Sequence, residues 1–536
     1  MPLQPETYDV LVVGAGPAGL TTAIGLARAG IRVLVVEKHP GTSIFPKAAG
    51  VRPRTMEILR SWGLDQRVSS AGQDVRLELG ISPVLAAPLA AVESLGAPAA
   101  QYVSTLSPSR FAFVPQDHLE PVLLEHLVDR GGQVRFRTEL VGFEVDGDGV
   151  RARLRPRSTS APACSAPEHP APEYDVRAWY LVGADGPRST VRQALGIEVE
   201  HLGSEGRQLT YLFAADLDAV VPDPPFALHW VTSPGAEALF VASGRHRWGY
   251  GWEPADGDPV APTSEQVVAR IRASAGLPDL DVEMQGAFEW TFGAEIAARF
   301  RSGPVFLVGD AATRTTPRRA TGMNTGMAAA HNLAWKLAWV LRGWADEALL
   351  DTYEEERRPV GLANAQRSLQ LREGAHEASG LEDFGVTYVS AAVAPTEDVD
   401  PPATIGERAA PGRRAPHAWL DVTGRRMSTL DLFDGRLTLL TGPAGGDWCA
   451  TAERLAPEGP PLAALRFGPD LPDPDGSLAL RYRVGARGAV LVRPDGFVAW
   501  QAPAPAASVD RASLLRSAVD LATGRAGATD VVDLSA

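Results

Sequence analysis

The N-terminal stretch YDVLVVGAGPAGLTTAIGLARAGIRVLVVE, residues 8–37, constrains the fold of this chain more than any other feature of its sequence. An apolar run leads into Gly14-Ala15-Gly16-Pro17-Ala18-Gly19, a helix of small residues follows, and a second apolar run ends at Glu37. A strand, a glycine turn, a helix and a strand, closed by an acidic residue, make up the unit of a dinucleotide-binding fold. The stretch therefore predicts a doubly wound α/β domain built on a parallel sheet.

Each residue type in this unit has a physical reason to be present. Gly14 makes the tight turn, Gly16 allows the backbone to approach a pyrophosphate, and Gly19 lets the helix pack against the strand. The N-terminus of the helix offers unpaired N–H groups and a partial positive charge to the phosphates. The carboxylate of Glu37 suits a ribose diol and would repel a 2′-phosphate, which favours FAD or NAD over NADP at this site.

Composition excludes several other classes of protein. The 536 residues are enough for two to four domains, and a formal net charge of -14 argues against a nucleic-acid partner. Cys164 and Cys449 lie far apart, so we expect neither a disulfide framework nor a metal site. The N-terminus lacks a signal-peptide pattern, and no run of about eighteen apolar residues occurs. We therefore expect a cytoplasmic protein without a membrane span.

Four further motifs follow apolar strands or open helices. Gln116 begins an amphipathic helix, Asp185-Gly186 lies at a strand-to-helix turn, and Gly309-Asp310 ends the strand PVFLV. A long helical stretch starts at Gly322-Met323-Asn324. Because the carboxyl ends of parallel strands share one edge of a sheet, Glu37 and Asp310 are predicted to lie at one ligand crevice.

The chain divides into three predicted domains. Residues 1–200 and 300–390 form a discontinuous Rossmann-like domain. Residues 201–299 alternate aromatic and β-branched segments with turns, which predicts an inserted antiparallel sheet that walls a substrate pocket. The proline-rich residues 391–416 are predicted to be a linker. Residues 417–536 read as strand, helix, hairpin and helix, the order of a thioredoxin-like fold.

The order of the motifs, from Gly14 to Gly19 with Glu37, through Asp185-Gly186, to Gly309-Asp310, resembles that of the single-component, class A FAD-dependent aromatic monooxygenases. The similarity covers residues 8–365, and the C-terminal part resembles that of the phenol hydroxylase and aromatic polyketide hydroxylase branches. The resemblance implies bound FAD, NADPH or NADH as a transient electron donor, and O2. It implies hydroxylation of a phenolic or polyketide-type molecule through a flavin C4a-hydroperoxide, as in antibiotic biosynthesis.

The resemblance also implies roles for single residues. Glu37 would bind the adenosine ribose, Gln116 would lie near the flavin pyrophosphate and ribityl chain, and Asp310 would accept a ribityl hydroxyl group. Asp185-Gly186 would serve both the flavin and the passing nicotinamide, and Lys47 and Arg54 stand where related proteins carry basic residues. The helix that starts at Gly322 would face the N1 and O2 region of the isoalloxazine, where its dipole favours the anionic reduced flavin. The predicted cofactor-binding residues are Gly14, Gly16, Pro17, Ala18, Gly19, Glu37, Lys38, Lys47, Gln116, Asp185, Gly309, Asp310, Gly322, Met323 and Asn324.

Four residues depart from the family pattern. Thr313 stands where the family usually has a histidine, Arg319-Ala320 where it has a Gly-Gly pair, and Ala329 where it often has an aspartate. Exchanging two glycines beside a flavin adds bulk and removes freedom at positive φ. We expect a shifted flavin, an altered affinity, or Arg319 over the active site.

Aromatic residues of the inserted sheet are the best candidates for the substrate pocket, although each of them also suits a core position. His229 and His331 are expected to be packed structural histidines, and the sequence names no catalytic base. The candidate pocket residues are Tyr211, Phe213, His229, Trp230, Phe240, Tyr250, Trp252, Trp290, Pro317 and Arg319.

Two alternatives stay open at this point. The same scaffold can carry out Baeyer–Villiger insertion, epoxidation or oxidative rearrangement of a polycyclic natural product. The changes at Thr313 and Arg319 also suit a flavin-binding protein that has lost turnover. A homodimer is compatible with the sequence.

Overall fold

A computed structural model describes residues 6–72, 74–95, 100–157, 172–252, 262–317, 320–370, 382–396, 406–433, 435–503 and 510–526. Cys164 and Arg319 therefore lie outside the described residues. The described helices are α1 (Pro17–Arg28), α2 (Pro53–Ser61), α3 (Asp65–Ala71), α4 (Ala100–Leu106), α5 (Gln116–Asp129), α6 (Thr190–Ala194), α7 (Ser264–Ala275), α8 (Thr321–Leu341), α9 (Thr352–Leu369), α10 (Gly446–Leu455), α11 (Ser477–Arg481) and α12 (Arg511–Ala522). None of these helices is both long enough and apolar enough to span a bilayer.

The first sheet contains the parallel core predicted from residues 8–37. Its strands are β1 (Glu6–Val13), β2 (Val33–Val36), β7 (Gln133–Arg135), β8 (Thr138–Asp146), β9 (Gly149–Pro156), β10 (Tyr174–Gly183), β16 (Arg301–Ser302) and β17 (Val305–Leu307). The order is β16-β17-β10-β1-β2-β7, with β8 and β9 attached through β10. The strands β17, β10, β1, β2 and β7 run parallel, and their buried side chains are covered by α1, α5 and α8. Because Gly25 lacks a Cβ, α1 can approach α8 at Ala334.

The second sheet is the largely antiparallel sheet predicted from residues 201–299. Its order is β18-β15-β11-β14-β13-β12-β4-β5, and α7 packs on one face. The sheet also recruits strands from outside the predicted segment, because β4 pairs in parallel with β12 and β18 pairs with β15. These strands are β4 (Arg76–Ser82), β5 (Glu93–Leu95), β11 (Val199–Ala214), β12 (Phe226–Val231), β13 (Ala238–Gly244), β14 (Arg247–Trp252), β15 (Glu283–Ala297) and β18 (Thr313–Arg314).

The C-terminal unit, residues 406–526, is built on a third sheet in the order β22-β21-β23-β24. β21 is parallel to β22 and antiparallel to β23, and α10 and α12 pack together. This arrangement, with the two domains before it, confirms the predicted fold class. The strands are β21 (Leu437–Thr441), β22 (Leu462–Arg466), β23 (Ala489–Val492) and β24 (Val498–Ala502); two small ladders join β3 (Gly50–Val51) to β6 (Ala112–Phe113) and β19 (Trp419–Val422) to β20 (Arg425–Ser428).

The described part of the predicted linker 391–416 is packed rather than solvent-exposed. Ala392, Ala409, Ala410 and Arg414 are all buried. The proline-rich composition predicted a linker, whereas Ala392 and Ala409 pack into two different apolar cores. This segment is therefore part of the interface between them.

A buried ionic cluster joins the C-terminal unit to α8 and α9. The carboxylate of Glu356 accepts hydrogen bonds from Arg493 at 2.6 and 2.8 Å and from Lys336 at 2.8 Å. Asn332 donates to the same carboxylate at 2.7 Å, and Arg493 also donates to Asp495 at 2.6 Å. Burial alone would raise the pKa of Glu356, but the charges of Arg493 and Lys336 outweigh burial and lower it. Burial lowers the pKa of Lys336 to about 8.

Candidate active site

One large cleft, of about 3000 Å³, runs between the carboxyl edge of the first sheet and one face of the second. A pocket for a single small molecule typically measures about 300–1000 Å³. The cleft is therefore large enough for an extended dinucleotide and a second molecule. Thirteen of the fifteen predicted cofactor-binding residues line it, and Gly19 and Asn324 lie just behind its wall.

The glycine turn at Gly14, Gly16 and Gly19 has the geometry that its three predicted roles require. Gly14 has a φ of +108°, and a Cβ there would lie 2.3 Å from the carbonyl oxygen of Ala184. A Cβ on Gly19 would lie 2.0 Å from the carbonyl oxygen of Gly14. A Cβ on Gly16 would meet no atom within 4 Å, because this residue faces the open cleft at the N-terminus of α1. Of these three glycines, only Gly16 leaves space for a phosphate, and Gly16 is the one predicted to approach the pyrophosphate.

Glu37 is held in place by two backbone amides. Ala15 donates its N–H to Oε2 and His39 donates its N–H to Oε1, both at 2.9 Å. A carboxylate oxygen has more than one lone-pair direction, so each oxygen can accept a further hydrogen bond from a ligand. The side chain is therefore oriented to receive two hydroxyl groups at the edge of the cleft.

Asp310 and Asp185 lie on two turns that a buried arginine connects. Arg192 donates to the carbonyl oxygens of Ala311 at 3.0 Å and Pro187 at 2.8 Å. Oδ1 of Asp185 is buried and has no hydrogen-bond partner among the described residues. Asp310 reaches into the cleft, while the dense protein around it raises the pKa of its carboxyl group. Both aspartates thus have acceptor capacity left for a ligand.

Gln116 is anchored by Glu120, a residue that the sequence analysis missed. Nε2 of Gln116 donates to Glu120 at 2.6 Å, and the backbone N–H of Ser43 donates to the other carboxylate oxygen at 2.6 Å. Burial raises the pKa of Glu120. The spacing of four residues on α5, which places both side chains on one face of the helix, could have indicated this pair.

Helix α8 begins at the cleft, and Asn324 ties its first turn to α2. Oδ1 of Asn324 accepts from the backbone N–H of Arg52 at 2.9 Å, and Nδ2 donates to Gly50 at 2.8 Å and Ala320 at 2.6 Å. The Asn324 side chain therefore hydrogen-bonds to backbone groups of the protein. The neighbouring Gly322 and Met323, which line the cleft, are the residues that can contact a ligand. The N–H groups of this first turn have no partner within the helix.

Ala320, which stands where the family has a glycine, adopts the left-handed conformation with φ +52° and ψ +38°. Glycine adopts this conformation at little cost, whereas the alanine bears strain there. Thr313 is buried with its hydroxyl group against the α9 backbone at Gly361, and Ala329 is buried in the core.

Changing Ala320 to glycine should raise the free energy of unfolding by about 1 kcal/mol, because an L-residue in the left-handed region costs about 1–2 kcal/mol and part of the gain is lost to backbone entropy. Urea unfolding monitored by circular dichroism measures the change. The control is Ala328→Gly in the second turn of α8, which should lower stability by about 1 kcal/mol. A loss of stability in both variants would contradict the strain at Ala320.

The predicted pocket residues fall on two faces of the second sheet. Trp230 and Trp290 point into the cleft, and Pro317 borders it. Tyr211 and Tyr250, which were predicted to line the pocket, instead lie in the core beneath α7, as do Phe213 and Phe240. Trp252 stacks on Tyr211 in that core and reaches the cleft only at its margin. Side chains alternate between the faces of a strand, so neighbouring aromatics are separated by the sheet.

Neither His229 nor His331 is placed to act as a base in the cleft. Nε2 of His229 lies 2.7 Å from Oγ of Ser82, whose hydroxyl group donates to Val84, so the imidazole must donate to Ser82. Burial lowers the pKa of both histidines to about 4. His331 lies among α2, α8 and the C-terminal unit, behind the cleft wall. These placements agree with the structural roles expected from the sequence.

Acidic and basic residues both line the cleft, and four of the basic ones stand apart from the acidic ones. Lys38, Lys47, Arg110 and Arg188 line it, and the described residues provide no carboxylate within 4 Å of any of them. Lys47 lies close enough to Asp310 and Glu120 to act against the rise in their pKa values. These four cations are therefore available to pair with the phosphates of a dinucleotide.

The donor set fits FAD in particular. The open turn at Gly16 suits a pyrophosphate, and the oriented carboxylate of Glu37 suits a ribose. The acceptor capacity of Asp185 and Asp310 suits a polyhydroxyl chain. Bound there, FAD would supply the redox and oxygen chemistry.

Comparison with known proteins agrees with this geometry. The family model for an FAD binding domain matches residues 7–368, and the model for the C-terminal domain of aromatic-ring hydroxylases matches residues 408–526. A putative polyketide hydroxylase of Streptomyces halstedii is 38% identical, covering 95% of each chain. Tetracenomycin A2 monooxygenase-dioxygenase of Streptomyces glaucescens is 37% identical, covering 98% of this chain and 99% of that protein.

Among solved structures, a ternary complex of aklavinone-11 hydroxylase with FAD and aklavinone superposes with a TM-score of 0.86 at 35% identity. The match covers 98% of this chain and 100% of the other. The expectations of an FAD cofactor and of a monooxygenase are thereby confirmed. The chain belongs to the FAD-dependent aromatic-ring hydroxylases, a family of flavoprotein monooxygenases.

Proposed function

We propose that this monooxygenase hydroxylates a polycyclic aromatic molecule of the polyketide type, using NADPH or NADH as its electron donor. The observation that carries the proposal is the single cleft, which joins a pyrophosphate-binding turn to the exposed apolar face of an antiparallel sheet. A substrate on that face would lie beside a cofactor held by the turn. The names of the relatives, which include polyketide hydroxylases, support this substrate class.

The cofactor would be held by the residues described above. Glu37 would bind the adenosine ribose, Asp310 would accept a hydroxyl group of the ribityl chain, and Gly322 and Met323 would present the positive end of α8 to the isoalloxazine. This end of the helix stabilises nearby negative charge by about 0.3–2 kcal/mol, depending on burial. Gln116, oriented by Glu120, would bind the part of the cofactor between the adenosine ribose and the isoalloxazine.

The substrate would bind against a flat wall of apolar side chains. Large planar ligands gain contact area and favourable stacking from such a wall. Trp290 donates its indole N–H to Thr210 at 2.9 Å, which fixes the ring orientation. The apolar side chains of this wall are Leu77, Leu79, Leu228, Trp230, Leu239, Val241, Phe288, Trp290 and Phe292.

Electron delivery would use the cations at the mouth of the cleft. Lys38, Lys47, Arg110 and Arg188 would offer ion pairs to the phosphates of a nicotinamide dinucleotide. A second glycine-rich nucleotide unit is not needed if the donor docks only for the time of electron transfer. We accordingly expect the KM for NADPH to rise steeply with ionic strength.

The direct test begins with the visible absorption spectrum of the purified protein after incubation with FAD. NADPH oxidation is then followed with tricyclic and tetracyclic hydroxyquinones, with simple phenol as the small control, and each product is identified by mass spectrometry. We expect bound flavin and faster NADPH oxidation, with one added oxygen in a polycyclic product. Oxidation of NADPH that no polycyclic compound accelerates would contradict the proposal and support the alternative of lost turnover.

An oxygenation other than simple hydroxylation is the second candidate, because one relative is named a monooxygenase-dioxygenase. Baeyer–Villiger insertion, epoxidation and hydroxylation each add one oxygen but place it differently. Reaction under ¹⁸O2, followed by NMR of the product, distinguishes them by the position of the label. A label within an enlarged ring, for example, would identify the Baeyer–Villiger reaction.

A further inference from the structure

Two glutamates on helices of the FAD-binding domain are buried against arginines of the C-terminal unit. Glu57 of α2 pairs with Arg414, and Glu356 of α9 pairs with Arg493. We propose that the C-terminal unit positions the wall of the flavin cleft, and that Glu57 is the positioning residue through which it acts on α2. The inference rests on the proposed placement of the flavin.

The contacts of Glu57 are numerous and directional. Arg414 donates to both carboxylate oxygens, from Nε at 2.9 Å and from Nη2 at 2.5 Å. Arg54 donates to Oε2 at 2.9 Å and Ser107 to Oε1 at 2.6 Å. The Arg414 and Glu57 side chains are only 1% and 2% exposed. A bidentate guanidinium fixes both the distance and the orientation of its carboxylate.

The C-terminal unit also contacts α2 at a second point. Nη2 of Arg54 donates to the backbone carbonyl oxygen of Asp495 at 2.8 Å, in the turn between β23 and β24. Arg414 also donates to Leu106 at the end of α4 at 2.9 Å. The first turns of α2 therefore contact the C-terminal unit through two separate segments, which restrains both rotation and sliding of the helix.

The N-terminus of α2 is continuous with the cleft wall. Arg52 and Pro53 line the cleft, and the Arg52 N–H is bound by Asn324 of α8. Asn324 also binds Gly50 of β3. A displacement of α2 is therefore transmitted to the first turn of α8, where Met323 borders the flavin position.

The Glu57–Arg414 contact is an ion pair rather than an apolar contact, which indicates that it orients α2 and does not only hold the two domains together. Burying two charges costs solvation energy, and a well-packed apolar pair of similar volume is often equally or more stabilising. An apolar pair, however, lacks the directional hydrogen bonds that define one register. The Glu57–Arg414 pair is therefore expected to contribute more to the geometry of α2 than to the stability of the protein.

The test replaces both partners at once, with Glu57→Leu/Arg414→Met in the full-length chain. We expect this variant to stay folded but to melt below the wild type, because apolar packing substitutes for the pair while Arg54 and Ser107 lose their carboxylate acceptor. Its FAD dissociation constant should rise at least tenfold, and the visible circular dichroism of its bound flavin should change. The control is Arg466→Met/Asp470→Leu, which removes an exposed ion pair within the C-terminal unit and should leave both readouts unchanged.

Unchanged FAD affinity and unchanged flavin dichroism in the double variant would overturn the inference. If the double variant does not fold, Arg414→Lys takes its place, because lysine keeps the charge but loses the bidentate contact. An unaltered flavin spectrum in that variant would then overturn it. Failure of the proposed function is seen separately, as a wild type that binds FAD but hydroxylates nothing, and the flavin readouts are unaffected by it.

Discussion

Replacing Glu356 with leucine should lower the free energy of unfolding by about 3–5 kcal/mol, because removing one partner of a buried ion pair leaves uncompensated charge. Here two cations, Arg493 and Lys336, would lose their shared carboxylate. Asp495 would still partner Arg493, so Lys336 would bear most of the penalty. Its pKa, already near 8, should fall further.

Urea unfolding at pH 7 measures this loss, with Glu355→Leu as the matched control. Glu355 is the exposed neighbour of Glu356 on α9, and surface substitutions usually change stability by about 0.5 kcal/mol or less. The folded-state pKa of Glu356 is lowered, so its contribution is present above the unfolded-state pKa of 4.5 and is lost as the pH falls below it. The difference between wild type and Glu356→Leu should therefore shrink on acidification. A loss of less than about 1 kcal/mol at pH 7 would show that the cluster contributes little to stability.

The second large effect concerns the cofactor. Changing Gly16 to leucine should weaken FAD binding at least 100-fold, about 2.7 kcal/mol, while the protein stays folded. Its backbone, at φ -74° and ψ 179°, is accessible to any L-residue, and a Cβ there meets no protein atom within 4 Å. The leucine side chain would instead occupy the space in which the pyrophosphate must approach the backbone.

Fluorescence titration with FAD measures the affinity, and far-UV circular dichroism confirms the fold. Gly142→Leu is the control, because that glycine on β8 also has open space around it but lies outside the cleft. Gly14→Ala makes an informative contrast, since its Cβ would clash with the Ala184 carbonyl group and should destabilise the fold itself. Full FAD affinity in Gly16→Leu would place the pyrophosphate elsewhere.

The parts of the fold that sequence patterns predicted well are those set by local physics. The glycine turn, the apolar strands around it and Glu37 lie within one unit of contiguous residues, so local conformation and function coincide there. The left-handed backbone of Ala320 cannot be read from alanine itself, and only the family resemblance, which places a glycine there, pointed to a positive φ. The recruitment of β4 into the second sheet was equally hidden, since it depends on pairing between residues about 150 positions apart.

The aromatic residues of the second sheet show the same limit. Alternation predicts that Tyr211 and Phe213 share one face of β11 and Thr210 the other, but not which face meets α7. A shift of one residue in strand register exchanges the faces, and only packing against α7 and the first domain selects one. The predicted pocket therefore mixed cleft residues such as Trp230 with core residues such as Tyr250.

By itself, the sequence determined the dinucleotide-binding unit, the class of cofactor and the family, because each depends on short stretches whose backbone and chemistry are specified locally. Tertiary structure alone decided which aromatics face the substrate, that Asn324 binds backbone, and that Arg414 and Arg493 close over glutamates of another domain. Those features depend on contacts between residues that lie far apart in the sequence, where the free energy of burial, rather than local propensity, selects the partner.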